Sequence, residues 1–403
     1  MISTQHDRGL RFLFSAALSA MTACGPGNIS MDGGTAKSPP PVQLISTPMS
    51  SEEAARVDAA VRKLYDTETR KEIPGLWIGI WDVKRGFFLA AYGESERGKT
   101  AAAIQQTFRI GSVSKTFTAT AVLRLIDQGK LGLDDTVGMV HPDLAKQYSA
   151  LTAITIRQLL GMSSGIPDYL NIPKSPIIAT LTNAPTHEFT TDELIRAGLS
   201  AGIMSGTPQP EYSNTNYIVL ERIIEKVSGK SFPEAISSMV IGPLGLSRTA
   251  FPDPRDASLP SPASHGYLNT VCSAELAALG GSTLQNDLDT SNWNVTSSRA
   301  AGAAYSTLSD LGLWAATTSG SVLLSSKLQN ERLRTVPISA GTLNYGLGIF
   351  RLGRWLGHSG QVFGWEAYAL HDPERGVTFV LGTNSCSGAT TLAISLLESL
   401  YPA

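Results

Sequence analysis

Strand-like segments near both ends of this chain, with helix-like segments between them, constrain its fold more than any other feature. Residues 76–81 and 87–92 are rich in aromatic and β-branched side chains and flank a turn at 82–86, which predicts an antiparallel hairpin. Further strand-like segments follow much later, at residues 345–351, 355–358, 363–371 and 377–383. We therefore predict a mixed α/β (α+β) fold in which residues of about 70–95 and 343–384 form one antiparallel sheet.

The middle of the chain carries helical periodicity instead. Apolar residues at helical spacing precede Gly129 and Gly229, and a glycine in that position is typical of a helix C-terminus. Ser50 and the glutamate three residues after it form a capping-box pattern, which marks the start of a helix. We predict one folded domain over residues 51–403, in which helices flank the sheet and residues of about 130–300 form a mainly helical insertion.

Composition excludes several classes of protein. The chain has 403 residues, 42% of them hydrophobic and 16% charged, which is enough apolar material for a large core and excludes overall disorder. Its formal net charge is −2, so no basic field is available to attract phosphates. We therefore expect no nucleic-acid partner and favour a small-molecule or peptide substrate.

The N-terminal residues resemble an export signal. Two arginines precede an apolar run at residues 12–23, which is shorter than the roughly 18 residues that a membrane-spanning helix needs. Cys24 follows in a context similar to the bacterial lipobox, with methionine in the usual leucine position. The prediction is a signal peptide at 1–23 and a lipid-anchor cysteine followed by a flexible tether over 24–50. Simple secretion with a free Cys24 is the alternative, and both interpretations export the protein to the cell envelope or beyond.

The other two cysteines, Cys272 and Cys386, would then lie in an oxidising compartment, where an even pair is compatible with one disulfide. Two buried thiols are equally compatible with the sequence. The six histidines are scattered, and no Cys/His spacing matches a metal site. We predict no metal and no organic cofactor.

The chemistry is concentrated first in Ser112 and Lys115, which lie three residues apart at the start of a predicted helix. That spacing places both side chains on one helix face. A serine hydroxyl becomes a good nucleophile only when a neighbouring base takes its proton, and the positive end of a helix disfavours the charged lysine. The pair therefore predicts a serine nucleophile with a lysine partner.

A competing signal lies at residues 161–165, which fit the G-x-S-x-G pattern of α/β-hydrolases with Ser163 at its centre. That motif needs a strand before the serine and a helix after it. Residues 155–160 have a helical pattern, and a proline interrupts the segment that follows. We interpret Ser163 as a turn residue.

Taken together, the motifs resemble the serine β-lactamases and penicillin-recognising D-alanyl-D-alanine peptidases, in the branch of class C β-lactamases, soluble D,D-carboxypeptidases and related esterases. The resemblance extends over residues of about 52–400. It is carried by residues 73–79, 108–117, 131–135, 156–161 with Ser164 and Gly165, 210–217 and 357–360.

The resemblance implies roles for individual residues. Ser112 would be acylated, with Lys115 as its partner in proton transfer. Tyr212 would act with Lys115 as general base and acid, its phenol pKa lowered by nearby cations, and Asn214 would hydrogen-bond the substrate amide. The backbone N–H groups of Ser112 and Gln361 would form the oxyanion hole.

The third motif departs from the family pattern. His358, Ser359 and Gly360 stand where the family has Lys-Thr-Gly, on the strand that would bind extended substrate. The histidine would offer a positive charge to a substrate carboxylate only at mildly acidic pH, since its ordinary pKa is near 6.5. The departure favours a carboxypeptidase or an esterase over a β-lactamase.

The sequence thus predicts an exported serine hydrolase that forms an acyl-enzyme at Ser112 and acts on a D-Ala-D-Ala peptide, a β-lactam or an ester. It would reach the membrane through an N-terminal lipid. The alternatives are a class C-type β-lactamase and a non-catalytic cell-envelope protein that keeps the fold for binding.

Overall fold

A computed structural model describes residues 44–204, 210–256, 258–338 and 343–402. The predicted signal peptide, Cys24 and most of the tether lie outside the described residues. The strands are β1 Gly75–Asp82, β2 Gly86–Glu96, β3 Thr100–Ala101, β4 Phe108–Arg109, β5 Tyr267–Leu268, β6 Leu288–Asp289, β7 Tyr305–Ser306, β8 Val336–Ile338, β9 Leu343–Tyr345, β10 Phe350–Leu352, β11 Trp355–Val362, β12 Trp365–Asp372 and β13 Val377–Thr383.

The α-helices are α1 Ser51–Leu64, α2 Thr67–Glu72, α3 Ser114–Asp127, α4 Val137–Val140, α5 Pro142–Gln147, α6 Ile156–Leu160, α7 Pro176–Asn183, α8 Thr191–Leu199, α9 Asn214–Ser228, α10 Phe232–Ile236, α11 Thr270–Ala278, α12 Arg299–Gly302, α13 Leu308–Thr318, α14 Ser326–Leu333 and α15 Ala389–Leu400. Gly129 and Gly229 follow α3 and α9 with positive φ angles, as predicted for helix C-termini. None of the helices in the described ranges is long and apolar enough to cross a membrane.

One antiparallel sheet joins the two ends of the folded domain. Its strand order is β3-β2-β1-β13-β12-β11-β10-β9-β8. β1 pairs with β13, with Leu76 opposite Thr383, so the early hairpin is completed by the last strand of the chain. The prediction of a sheet built from both ends is confirmed.

Helices cover both faces of this sheet. Side chains alternate along a strand, so Leu76 and Trp81 of β1 point to opposite faces. The Trp81 ring lies against Gly312 of α13. On the other face, Tyr92, which lies opposite Leu76, makes an edge contact with Tyr65 at the end of α1. All eight residues of β1 are buried between these layers.

The prediction of one strand over residues 345–351 is wrong. The segment forms β9 and β10, which are separated by a turn at 346–349. Gly348 has a φ of 71°, and a Cβ there would lie 2.9 Å from the Tyr217 phenol and would collide with Ala119 of α3. The turn therefore packs tightly against the helix that follows Ser112, where a continuous strand does not fit.

Candidate active site

Ser112 lies in a single 3₁₀ turn, Gly111–Val113, that leads directly into α3. Lys115 follows in the first turn of that helix and is fully buried. Its Nζ lies 2.8 Å from Ser112 Oγ. The structure therefore brings the predicted nucleophile and its predicted partner into direct contact.

The Lys115 ammonium has two further acceptors, Asn214 Oδ1 at 2.6 Å and the Ala301 carbonyl at 2.7 Å. The ring of Tyr212 lies 4.9 Å from Nζ. Burial lowers the pKa of Lys115 from its ordinary range to about 7, because the charged form is removed from water. A substantial fraction of neutral amine is thus present near neutral pH, and that amine can accept the Ser112 proton.

A buried carboxylate, Asp168, stands behind this pair. It follows the turn at 161–165, and its Oδ2 accepts a hydrogen bond of 2.9 Å from Asn214 Nδ2. The polar chain therefore runs from Asp168 through Asn214 and Lys115 to Ser112. Burial raises the pKa of the Asp168 carboxyl, while the charge on Lys115 opposes that rise.

Tyr212 lies beside Lys115 and Ser112, but its electrostatics differ from the prediction. Its phenol faces Ser112 and is buried, and burial raises its pKa well above the ordinary value. The expectation that nearby cations lower this pKa is wrong, because desolvation of the phenolate outweighs its hydrogen bond with Ser112. Tyr212 is thus a neutral phenol that can donate a proton, and Lys115 is the better base.

The third motif meets the serine turn through two glycines. A Cβ on Gly360 would lie 2.6 Å from the Ser112 nitrogen, and one on Gly111 would collide with the backbone of Gln361. Only residues without a side chain allow β11 to approach this closely. The backbones of Ser112 and Gln361 are thereby brought together, as an oxyanion hole built from these two residues requires.

His358 does not offer a charge to the site. It is 2% exposed, and its ring packs against Phe350 and Tyr345. Its Nδ1 bonds to the Ser359 carbonyl, which leaves Nε2 to accept the Tyr345 hydroxyl at 3.0 Å. Burial lowers the pKa of His358 to about 3. The expected cation at mildly acidic pH is therefore wrong, because desolvation and the nearby Lys115 charge outweigh the hydrogen bond to the Ser359 carbonyl, which by itself favours the charged ring.

A cavity open to solvent lies beside Ser112, and the empty space within it amounts to about 630 Å³ with the open solvent at its mouth included. It is lined by Ser112, Tyr169, Leu170, Asn171, Asn214, Leu268, Cys272, Leu276, Ser298, Ala301, Gly302, Gln361, Val362, Phe363 and Cys386. No side chain of this lining carries a charge. Gln361, the residue after the third motif, lines the cavity. Ser359 of the motif does not, and its hydroxyl is hydrogen-bonded to Tyr368 on the neighbouring strand.

Cys272 and Cys386 form a disulfide, with their Cα atoms 6.3 Å apart. The bridge ties α11 to the segment after β13 and forms part of the cavity wall. The side-chain amide of Gln361 donates to the Cys386 carbonyl, so the bridge is also linked to β11. The sequence left this pairing open, and the structure adds that it borders the site.

Two other sequence signals have plain outcomes. Ser163 follows α6, and Gly165, two residues later, has a φ of 73°, so residues 161–165 form a turn after a helix and lack the strand that a nucleophile elbow needs.

Within the residues that the structure describes, no cluster of three or more His, Cys, Asp or Glu side chains could hold a metal ion.

The family model for Beta-lactamase matches residues 57–393. The chain belongs to the Beta-lactamase family. Among curated relatives, Penicillin-binding protein 4* of Bacillus subtilis (strain 168) is 29% identical over 277 residues, 65% of this chain and 56% of that protein. Protein flp of Staphylococcus aureus (strain NCTC 8325 / PS 47) is 32% identical over 44% of this chain and 35% of its own length. The chain thus matches about half or less of each relative's length.

Solved structures share the same fold. A D-stereospecific amidohydrolase from Streptomyces sp. is 25% identical with a TM-score of 0.71, covering 85% of this chain and 98% of the other. The D-amino acid amidase from Ochrobactrum anthropi SV3 is 22% identical with a TM-score of 0.70, covering 86% and 98%. In this β-lactamase-type fold, the sheet and the helical segments between its early and late strands both supply residues to the Ser112 cavity.

Sequence reasoning missed Asp168 as part of the site. In the sequence, the segment Ile166-Pro-Asp-Tyr169 indicates only a break after a helix. The sequence signal that could have identified Asp168 is a carboxylate directly after a Gly-Ile-Pro turn, inside the region that matches the family. Its contact with Asn214, 46 residues later, depends on how the turn packs against α9.

Proposed function

We propose that the protein is a serine hydrolase that forms an acyl-enzyme at Ser112 and hydrolyses amide or ester bonds in small substrates. The observation that carries this proposal is the 2.8 Å contact between Ser112 Oγ and a Lys115 amine whose pKa lies near 7. A binding protein has no use for a desolvated lysine held against a serine hydroxyl. Membership of the Beta-lactamase family supports the same reaction class.

The proposed reaction proceeds in two halves. Ser112 Oγ attacks the substrate carbonyl carbon while its proton moves to neutral Lys115 Nζ. The carbonyl oxygen becomes an oxyanion facing the backbone N–H groups of Ser112 and Gln361. As the tetrahedral centre collapses, the C–N or C–O bond breaks and the leaving group takes a proton from Lys115 or the Tyr212 phenol. A water molecule then attacks the acyl carbon while its proton moves to neutral Lys115, the bond between that carbon and Ser112 Oγ breaks, and Ser112 Oγ takes the proton back as the carboxylic acid is released.

The cavity favours substrates without a carboxylate next to the bond that breaks. Its described lining is uncharged and largely apolar, and His358, which stands where the family has a lysine, is buried and neutral. A carboxylate brought into such a cavity would lose its hydration without gaining a counter-ion. We therefore place an amidase or esterase activity ahead of a D,D-carboxypeptidase activity. The similarity to Penicillin-binding protein 4* keeps the D,D-carboxypeptidase as the second candidate.

The proposal also includes export. The apolar run at 12–23 and the lipobox-like context of Cys24 support a mature chain held at the cell envelope by an N-terminal lipid. Loss of detergent partitioning and of globomycin-sensitive processing in Cys24→Ala would support this anchor. A native protein found wholly in the culture medium would replace it with simple secretion.

The reaction is tested with an activated fluorophosphonate and with two substrates that differ in one charge. Mass spectrometry of the labelled protein should place the adduct on the peptide that contains Ser112, and Ser112→Ala should remain unlabelled. Acetyl-D-alanyl-D-alanine and its C-terminal amide then compare a carboxylate with its neutral counterpart. We expect the bond between the two D-alanines to be hydrolysed about tenfold faster or more in the amide form than in the free acid.

Each result decides a separate point. An adduct on Ser163 would contradict the nucleophile assignment, and no labelling of the native protein would favour a non-catalytic envelope protein. Faster hydrolysis of the free carboxylate would restore the carboxypeptidase as the better assignment.

A further inference from the structure

Asp168 is a buried carboxylate that the reaction described above does not use directly. It is 6% exposed and lies in the segment between α6 and α7. Its Oδ1 accepts the Leu170 backbone N–H at 3.1 Å, and its Oδ2 accepts from Asn171 Nδ2 and Asn214 Nδ2, each at 2.9 Å. The ionised group therefore has donors on both oxygens, and one of them is a residue that touches Lys115.

The contact with Asn214 decides which way its amide points. An amide presents an acceptor oxygen on one side and a donor NH₂ on the other, and the two orientations occupy the same space. An ionised carboxylate can only accept, so Asp168 takes the NH₂ group. The Asn214 oxygen is then left facing Lys115 Nζ, at 2.6 Å.

From this geometry we infer that Asp168 is a positioning residue, whose carboxylate orients the Asn214 amide toward Lys115 and whose charge sets the pH range in which Lys115 can act as the base. The inference rests on the proposed acylation of Ser112. It adds a residue that touches neither the substrate nor the nucleophile.

The charge of Asp168 acts on Lys115 against the effect of burial. Burial lowers the pKa of Lys115, and the negative charge on Asp168 raises it. Asp168 therefore holds the proton on Lys115 to a higher pH than burial alone would allow. Removing that charge should release the proton at lower pH, which moves the acidic limb of the acylation profile downward.

Other titratable groups surround the pair, and none takes over this role. Those that face Lys115 are Tyr212, Tyr217 and His358, with Arg332 behind His358; those beyond Asp168 are Tyr169 and the ion pair Glu221–Arg299. The tyrosines and His358 are neutral near pH 7 because burial raises or lowers their pKa values away from it. The Glu221 carboxylate is paired with Arg299, whose Nη2 lies 2.7 Å from Glu221 Oε1.

The test compares two isosteric substitutions of buried carboxylates. Asp168→Asn removes the charge next to Asn214. Glu221→Gln removes a buried charge from α9, the helix that begins at Asn214, but this charge is not part of the hydrogen-bonded series Asp168–Asn214–Lys115–Ser112. Acylation rates of the full chain with an uncharged ester are measured from about pH 5 to pH 9, with the melting temperature of each variant. We expect the acidic midpoint of Asp168→Asn to fall by about one pH unit and that of Glu221→Gln to stay at the native value.

A further variant keeps the test decisive. Asp168→Ala should lower the plateau acylation rate about tenfold or more, because the Asn214 NH₂ group then loses its acceptor and the amide is held only by Lys115. If Asp168→Asn does not fold, the acidic midpoint of Asp168→Ala, which removes the same charge, should fall in the same direction.

A profile of Asp168→Asn that superimposes on the native one would overturn the inference, as would an equal shift in Glu221→Gln. Failure of the native protein to form the Ser112 adduct would be a different result. It would contradict the proposed function itself and is read from the native protein alone.

Discussion

Lys115 and His358 are both buried basic residues beside the serine turn, one on its helical side and one on its strand side, yet their surroundings differ. Lys115 is held by three oxygen acceptors and connects through Asn214 to Asp168. His358 is held by aromatic rings and uses both nitrogens away from the cavity. Burial lowers the pKa of both, to about 7 and about 3.

The comparison shows that burial alone does not make a reactive base. Lys115 has a nearby carboxylate that partly offsets desolvation, which leaves its pKa where both protonation states are populated near neutral pH. His358 has no such partner among its described contacts, and its neutral ring is fixed by the Tyr345 hydroxyl. In the proposed reaction, the helical side of the site therefore supplies the proton chemistry, and the strand side supplies backbone geometry.

The largest expected effect separates the two residues directly. Lys115→Met should lower the acylation rate about 10⁴-fold, because Ser112 loses its base. His358→Gln should lower it less than about tenfold, since glutamine can still hydrogen-bond Tyr345. Stopped-flow acylation with an activated ester measures both. Comparable losses in the two variants would break the division between the sides.

The strand side is tested through its backbone. Gly360→Ala should lower the acylation rate about 10³-fold, because the added Cβ would push β11 away from the Ser112 nitrogen and spoil the oxyanion hole. Gly320→Ala is the control, since its Cβ would meet nothing closer than 3.8 Å. Thermal melts of both variants distinguish loss of the site from loss of the fold. Full activity in Gly360→Ala would mean that the close approach is not needed.

A third pair compares two buried tyrosines. Tyr212→Phe should lower turnover about 100-fold, because a neutral phenol facing Ser112 is lost as a proton donor. Tyr345→Phe removes the hydroxyl that binds His358 and should leave turnover within about threefold of native. Steady-state rates with a poor leaving group, which most needs protonation, give the sharpest contrast. Equal losses would place Tyr345 in the reaction as well.

The smallest expected effect concerns pH. Both the charged and the uncharged substrate should be acylated faster as pH rises through about 7, because Lys115 loses its proton there. The ratio of the two rates should change less than about twofold between about pH 5 and pH 9, since His358 stays neutral throughout. A ratio that falls with rising pH near 6.5 would show that His358 does carry a substrate-binding charge.

The sequence by itself determined the elements that depend on local patterns. Two runs rich in aromatic and β-branched residues around a turn predicted the hairpin β1–β2, and the three-residue spacing of Ser112 and Lys115 placed both on one helix face. The order of strands and helices predicted a sheet shared by the two ends of the domain. These features follow from local sequence patterns. A short segment adopts its own helix or strand periodicity whatever it packs against later.

Only the tertiary structure decided what each functional side chain meets. Asp168 joins the site because a turn packs against α9, and Cys272 reaches Cys386 because α11 lies beside the end of β13. His358 is neutral because strands and aromatic rings close over it and remove its imidazole from water. Desolvation and hydrogen-bond partners come from residues far apart in the chain, so the pKa values and the lining of the cavity are properties of the packed molecule.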